Sequence, residues 1–168
     1  KPSNILMDDY LLPKIADFGL SKIIHSSQET ITIQSSLETK GTPIYMSPEI
    51  IESQDYTKAG DVYAFSIILY EILTNEEPFK NLNGFNIFKK VSNGDRPTFP
   101  FKIPDAYRNL IEKCWSQNPS DRPNFDSIVD ELKNNSGFIT ELVDEDDFIQ
   151  YIEFIDKYRS TFDKTKKI

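Results

Sequence analysis

GDVYAFSIILYEILT, residues 60–74, is the stretch whose reading decides the fold. Apolar side chains fall on nearly every face of a helix wound from it, and it is too long for an ordinary strand. A helix that is apolar all round is one surrounded by other protein. The stretch therefore predicts a buried helix, opening at Gly60-Asp61. Outward from it, GFNIFKKV places Phe85, Phe88 and Val91 on one face of a short helix. AYRNLIEKCW continues the pattern with Leu110, Ile111, Cys114 and Trp115, the last expected as core packing. Phe125, Ile128, Val129 and Leu132 follow the i, i+3, i+4, i+7 spacing, and Pro119 and Pro123 punctuate the join between these two helices.

Toward the N-terminus, NILM and KIA are short apolar runs separated by DDYLLP, which reads as a small hairpin. Residues 20–41 are rich in Ser, Thr and Gln and read as a long mobile loop. Residues 134–146 turn polar and acidic. Beyond them Phe148, Ile149, Ile152, Ile155, Tyr158 and Phe162 recur at helical spacing, predicting an amphipathic tail helix over residues 146–162 with a frayed KTKKI end. The expected fold class is mainly α, with one small β-hairpin near the N-terminus.

Composition excludes several function classes. The 168 residues suffice for one domain with a core, and no apolar run is long enough to predict a spanning helix or membrane insertion. A net charge of −8 gives a nucleic-acid partner little support. One cysteine, Cys114, cannot close an internal disulfide, which fits a reducing, cytoplasmic setting. One histidine and one cysteine cannot build a structural zinc site. His25 is the single candidate base for a serine or cysteine hydrolase, and it lies in a polar, Ser-rich stretch. The glycines are too far apart for a glycine loop that would cradle phosphates.

KIADFGLSK, residues 14–22, raises the chemical question. An apolar run stops at an acid, then at Phe18-Gly19. The residues alone leave two readings for Asn4 and for Asp17: an Asx-turn, or a metal ligand held at the end of a strand. Asp61 similarly reads as a helix N-cap.

KPSNIL (1–6), DFG (17–19), GTPIYMSPE (41–49), DVYAFSIILYEILT (61–74) and CWSQNPSDRPNF (114–125) occur in that order. Together they resemble the C-terminal lobe of a eukaryotic protein kinase, over residues 1–133. Residues 134–145 are then an acidic linker and 146–168 the tail. The mixture of KPSN with CWSQNPSDRPNF resembles the tyrosine-kinase-like group of Ser/Thr kinases.

The resemblance implies transfer of the ATP γ-phosphate to Ser/Thr of protein substrates. It implies that Asp17 bridges Mg²⁺ to the phosphates, that Asn4 holds a second metal ion, and that Lys1 contacts the transferred phosphate. Phe18 is expected to pack toward the hydrophobic interior, and Gly19 to supply the unusual backbone that turns the chain. Thr42 resembles the threonine that hydrogen-bonds the catalytic machinery and favours Ser/Thr acceptors. Glu49 and Arg122 are expected as an ion pair, and Asp61 as a brace under the catalytic loop. Ser47 stands where the family usually has alanine. Residues 20–41 resemble an activation loop, with Ser35, Ser36 and Thr39 as candidate phosphosites.

The glycine-rich loop, the strand lysine, its glutamate partner and the catalytic aspartate of the family are not among these 168 residues. The expectation is a piece of a longer kinase whose N-terminal small lobe lies elsewhere and which is inactive by itself. The alternative is a non-catalytic, pseudokinase-like interaction scaffold.

Overall fold

The structure is a computed structural model that describes residues 1–10, 12–20, 31–32 and 42–165, with the backbone alone at 20, 31–32 and 158–165. Ser35, Ser36, Thr39 and His25 lie outside the described residues.

Strands β1 (Ile5–Met7) and β2 (Pro13–Ile15) pair antiparallel, with Ile5 opposite Ile15 and Met7 opposite Pro13. Asp8 builds the turn between them. Its Oδ1 accepts from the Tyr10 and Leu12 amides at 3.0 and 2.9 Å. The backbone bond from Leu12 holds its carboxyl below the usual carboxylate range. A second ribbon, β3 (Ile31–Thr32) with β4 (Asp55–Tyr56), is absent from the sequence reading because two-residue strands show no periodicity.

The rest is helical: α1 (Pro48–Ser53), α2 (Lys58–Thr74), α3 (Gly84–Ser92), α4 (Asp105–Cys114), α5 (Phe125–Asn134) and α6 (Glu145–Thr165). Helix α2 is the buried spine. On one side Tyr63, Ile67 and Tyr70 pack with Ile87, Val91, Ile103, Ile111 and Trp115. On the other, Val62 packs with Leu110, Cys114, Ile128 and Phe138. A helix with cores on two sides needs apolar residues on both, which residues 60–74 supply, although Ile72 is left 71% exposed.

Two sequence expectations are corrected. Helix α2 begins at Lys58, not at Gly60-Asp61, because the Thr57 hydroxyl caps it by accepting from the Gly60 amide at 3.2 Å. Asp61 consequently lies in the first turn and is not the N-cap. In α3 the buried pair is Ile87 and Val91, while Phe85 is 76% exposed. Phe85 precedes Ile87 by two residues, roughly 200° round the helix, so one face cannot hold both.

Trp115 is core, in a tilted aromatic group with Tyr70 and Phe99. Arg96 locks that region. Its Nε donates to the Trp115 carbonyl at 2.8 Å, and Nη1 to the Val91 carbonyl at 3.3 Å, satisfying the ends of α4 and α3. Phe138 is buried beyond the end of α5, edge-on to Tyr107, whose hydroxyl donates to the Phe138 carbonyl at 3.0 Å. The chain is thus anchored to the core before α6 begins.

Burial pushes the Cys114 thiol from 9.0 up to about 12, and the Tyr63 hydroxyl from 10.0 up to about 12. Both groups keep their protons in the folded chain at a pH where the unfolded chain has lost them. Stability therefore falls as pH rises through the window from 9 to 12. Below it, native Cys114 should ignore a thiol reagent that labels the urea-unfolded chain rapidly. Equal labelling rates would show the thiol to be accessible.

Candidate active site

The hairpin assembles the first half of the site. Beyond the Ile5–Ile15 pair, the Ala16 amide donates to the Asn4 carbonyl at 2.8 Å, so the strands stay joined up to the residue before Asp17. Asn4 and Asp17, 13 residues apart, then meet. Asn4 Nδ2 donates to Asp17 Oδ2 at 3.3 Å, so the side-chain amide and the carboxylate are in contact. Both are hard oxygen donors of the kind Mg²⁺ selects. Lys1 is exposed, and its carbonyl accepts from the Asn4 amide at 2.9 Å.

The turn after Asp17 differs from expectation in two ways. Asp17 itself takes the left-handed backbone, φ 63°, and Gly19 does not. Aspartate tolerates that region better than most side chains, so the residue that carries the charge also makes the turn. Phe18 is 67% exposed and belongs to neither core cluster. The cores are built around α2, and the ring is packed into neither.

The second half is anchored by an ion pair. Arg122 Nη1 and Nη2 reach Glu49 Oε1 and Oε2 at 2.8 and 2.9 Å, a bidentate fork across 73 residues of sequence. Arg122 also donates to the carbonyls of Ala59 and Ser116, each at 2.9 Å. Its side chain is 0% exposed and that of Glu49 12%. The guanidiniums of Arg122 and Arg96 stand 5.3 and 5.2 Å from the Tyr63 ring. This cluster ties α1, the start of α2 and the segment before α5 into one unit. Ser47 is fully buried beside it, and its hydroxyl has no partner among the described residues.

Thr42 is exposed at the head of a 3-10 turn, Pro43–Tyr45, and among the described residues no hydrogen bond joins it to Asn4 or Asp17. The turn is pinned to α2 by Tyr45, whose hydroxyl lies 3.0 and 3.1 Å from the two Glu71 oxygens. Burial, then the Glu71 bond, pushes the Tyr45 hydroxyl well above its ordinary value, and burial raises Glu71. Sequence reasoning missed Tyr45, Glu71, Tyr63 and Arg96. Pairs 26 residues apart leave no periodic trace.

Asp61 lines a cavity of about 670 Å³ with Thr57, Val62, Pro119, Arg122 and Phe125. Surrounding protein pushes its carboxyl up although the residue keeps open surface. Among the described residues no hydrogen bond engages that carboxylate.

Residues 2–132 match the family model for protein tyrosine and serine/threonine kinases. The chain belongs to that protein kinase family. It is 38% identical over 141 residues to a probable LIM domain-containing serine/threonine-protein kinase of Dictyostelium discoideum, covering 83% of this chain and 21% of that protein. It is 39% identical over 134 residues to the dual specificity protein kinase shkC of the same organism, covering 79% and 26%. A probable serine/threonine-protein kinase, again of Dictyostelium discoideum, is 40% identical over 133 residues, covering 79% and 14%. The chain thus spans about a quarter or less of the length of these curated relatives. No helix among the described residues is long and apolar enough to cross a membrane.

Proposed function

We propose that the chain is the large-lobe part of a Ser/Thr protein kinase, and that Asn4 and Asp17 are its metal pair. The observation that carries the reading is the contact between these two side chains, each with an oxygen to offer, at the open end of the hairpin, within a chain of the kinase family. Two protein oxygens fit Mg²⁺ bound with ATP, since this ion keeps most of its shell for phosphates and water. When bound, it would neutralise charge on the phosphates.

The protein's own residues do the rest. Asp17 presents a carboxylate from a fixed left-handed turn, and Asn4 a neutral oxygen at its side. Lys1 supplies a cation to offset charge developing on the transferred group. Thr42 stands at the head of the turn that Tyr45 pins to α2, where it would help seat a Ser/Thr acceptor. Asp61 would accept hydrogen bonds from backbone amides of the segment preceding Lys1. That no hydrogen bond engages its carboxylate among the described residues supports that role. The roof over ATP, the phosphate-covering loop and the catalytic aspartate would come from that preceding segment. A protein carrying it is expected to work in a reducing compartment, with Cys114 a buried thiol.

The scaffold alternative would leave the exposed Phe18 ring to a partner protein, whereas in the kinase reading the preceding segment would cover it. Phosphate transfer from labelled ATP to a Ser/Thr peptide separates the two. Residues 1–168 alone should transfer none above an Asp17→Ala control, because positioning supplies most of the rate and half the positioning groups lie elsewhere. Joined to its upstream coding sequence, the chain should phosphorylate serine or threonine. An inactive joined protein would favour the scaffold.

A further inference from the structure

We propose that Phe85 and Lys89 of α3 form a subsite that selects protein substrates by a bulky apolar residue, flanked by an acid, close to the acceptor Ser/Thr. The proposal rests on the kinase reading above, in which Thr42 helps seat the acceptor. Helix α3 abuts the turn that Thr42 heads. A Cβ built on Gly84 would stand 3.1 Å from Pro43 Cγ and 3.7 Å from Pro43 Cβ, so only a glycine lets the helix begin this near. The Cα atoms of Thr42 and Phe85 therefore lie within about 14 Å of each other, the span of about four residues of extended chain. A peptide running from the acceptor position can reach Phe85 within that length.

The outer face of α3 supplies the chemistry. Ile87 and Val91 bury the opposite face in the α2 core, which fixes the helix and leaves Phe85 pointing away from that core, exposed. Lys89, one turn on, shares the Phe85 edge and is also exposed. Lys80 and Lys90 are paired with Glu76 and Asp95, whereas Lys89 has no partner among the described residues. A lone exposed ring is ordinary surface. Here the ring stands beside the turn proposed to seat the acceptor, with an unpaired ammonium at its side. The occupant that complements both is an extended substrate segment carrying an apolar side chain and a neighbouring carboxylate. A basic segment would meet a like charge at Lys89. The net charge of −8 over the chain confines any preference for acid to this spot.

Fluorescence anisotropy of labelled seryl peptides, titrated with the chain joined to its upstream segment, tests this. Each peptide carries one phenylalanine, in an alanine background, within about four positions on either side of the serine. At one position phenylalanine should tighten binding about tenfold over the all-alanine peptide. Phe85→Ala should bring that ratio near one. A glutamate next to that phenylalanine should tighten binding about threefold more, and Lys89→Glu should turn the preference from glutamate to lysine. Both substitutions fall on an exposed face, so circular dichroism of the variants should match the parent. Phosphate transfer to serine reports on the kinase reading and the binding ratios on this subsite, so the two fail separately. Binding by none of the peptides, a phenylalanine preference at no position or surviving Phe85→Ala, or a glutamate preference surviving Lys89→Glu would overturn the inference.

Discussion

Asp17→Asn should reduce phosphoryl transfer by about a hundredfold to a thousandfold or more, in the chain joined to its upstream segment, with the fold intact. The carboxylate is exposed and stands on a turn apart from both cores, so its charge contributes little to packing. Asparagine keeps the shape and tolerates the left-handed backbone that Asp17 adopts at φ 63°. Asp17→Ala should be equally inactive, but would add roughly 1–2 kcal/mol of backbone strain at that position. Comparing the two separates loss of a metal ligand from loss of a turn. Turnover within a few-fold of the parent in Asp17→Asn would remove the carboxylate from the chemistry.

Arg122→Ala should destabilise the chain by ~3–5 kcal/mol, read as a shift in the urea midpoint at unchanged slope. It leaves Glu49, 12% exposed, without its bidentate partner, and removes a donor from the Ala59 and Ser116 carbonyls. It also removes one of the two guanidiniums over the Tyr63 ring. Replacing both partners, Glu49→Leu with Arg122→Met, should recover much of the loss, because a buried pair exchanged for apolar groups is often close to neutral. A single-variant loss below about 1 kcal/mol would place this pair with ordinary surface bridges.

The sequence was most legible where periodicity and burial coincide. Residues 60–74 announce a surrounded helix because α2 has a core on both sides, and Leu110, Ile111, Cys114 and Trp115 are buried as their spacing predicts. The boundaries were less legible. Thr57 caps α2 through a single hydroxyl, a signal no stronger in the sequence than that of Asp61. Phe85 misled because a bulky apolar residue in the first turn of a short helix need not face inward.

In the candidate site the residue types were readable and their backbone was not. Asp17 and Gly19 were both visible, yet the left-handed turn fell on the aspartate. Phe18 shows the limit of carrying a motif's role to a new chain: the ring is present, but it stays 67% exposed and joins neither core cluster. Tyr45 with Glu71, and Tyr63 between Arg96 and Arg122, were invisible because they are set by how helices cross.

The proposed metal pair at Asn4 and Asp17 is the claim on which the functional account turns. Paramagnetic broadening by Mn²⁺ with ATP, recorded on the joined protein with Asn4 and Asp17 resolved, addresses it most directly. The account predicts broadening centred on those two residues, abolished by Asp17→Asn and weakened by Asn4→Ala. Broadening centred elsewhere, or unchanged in Asp17→Asn, would contradict it.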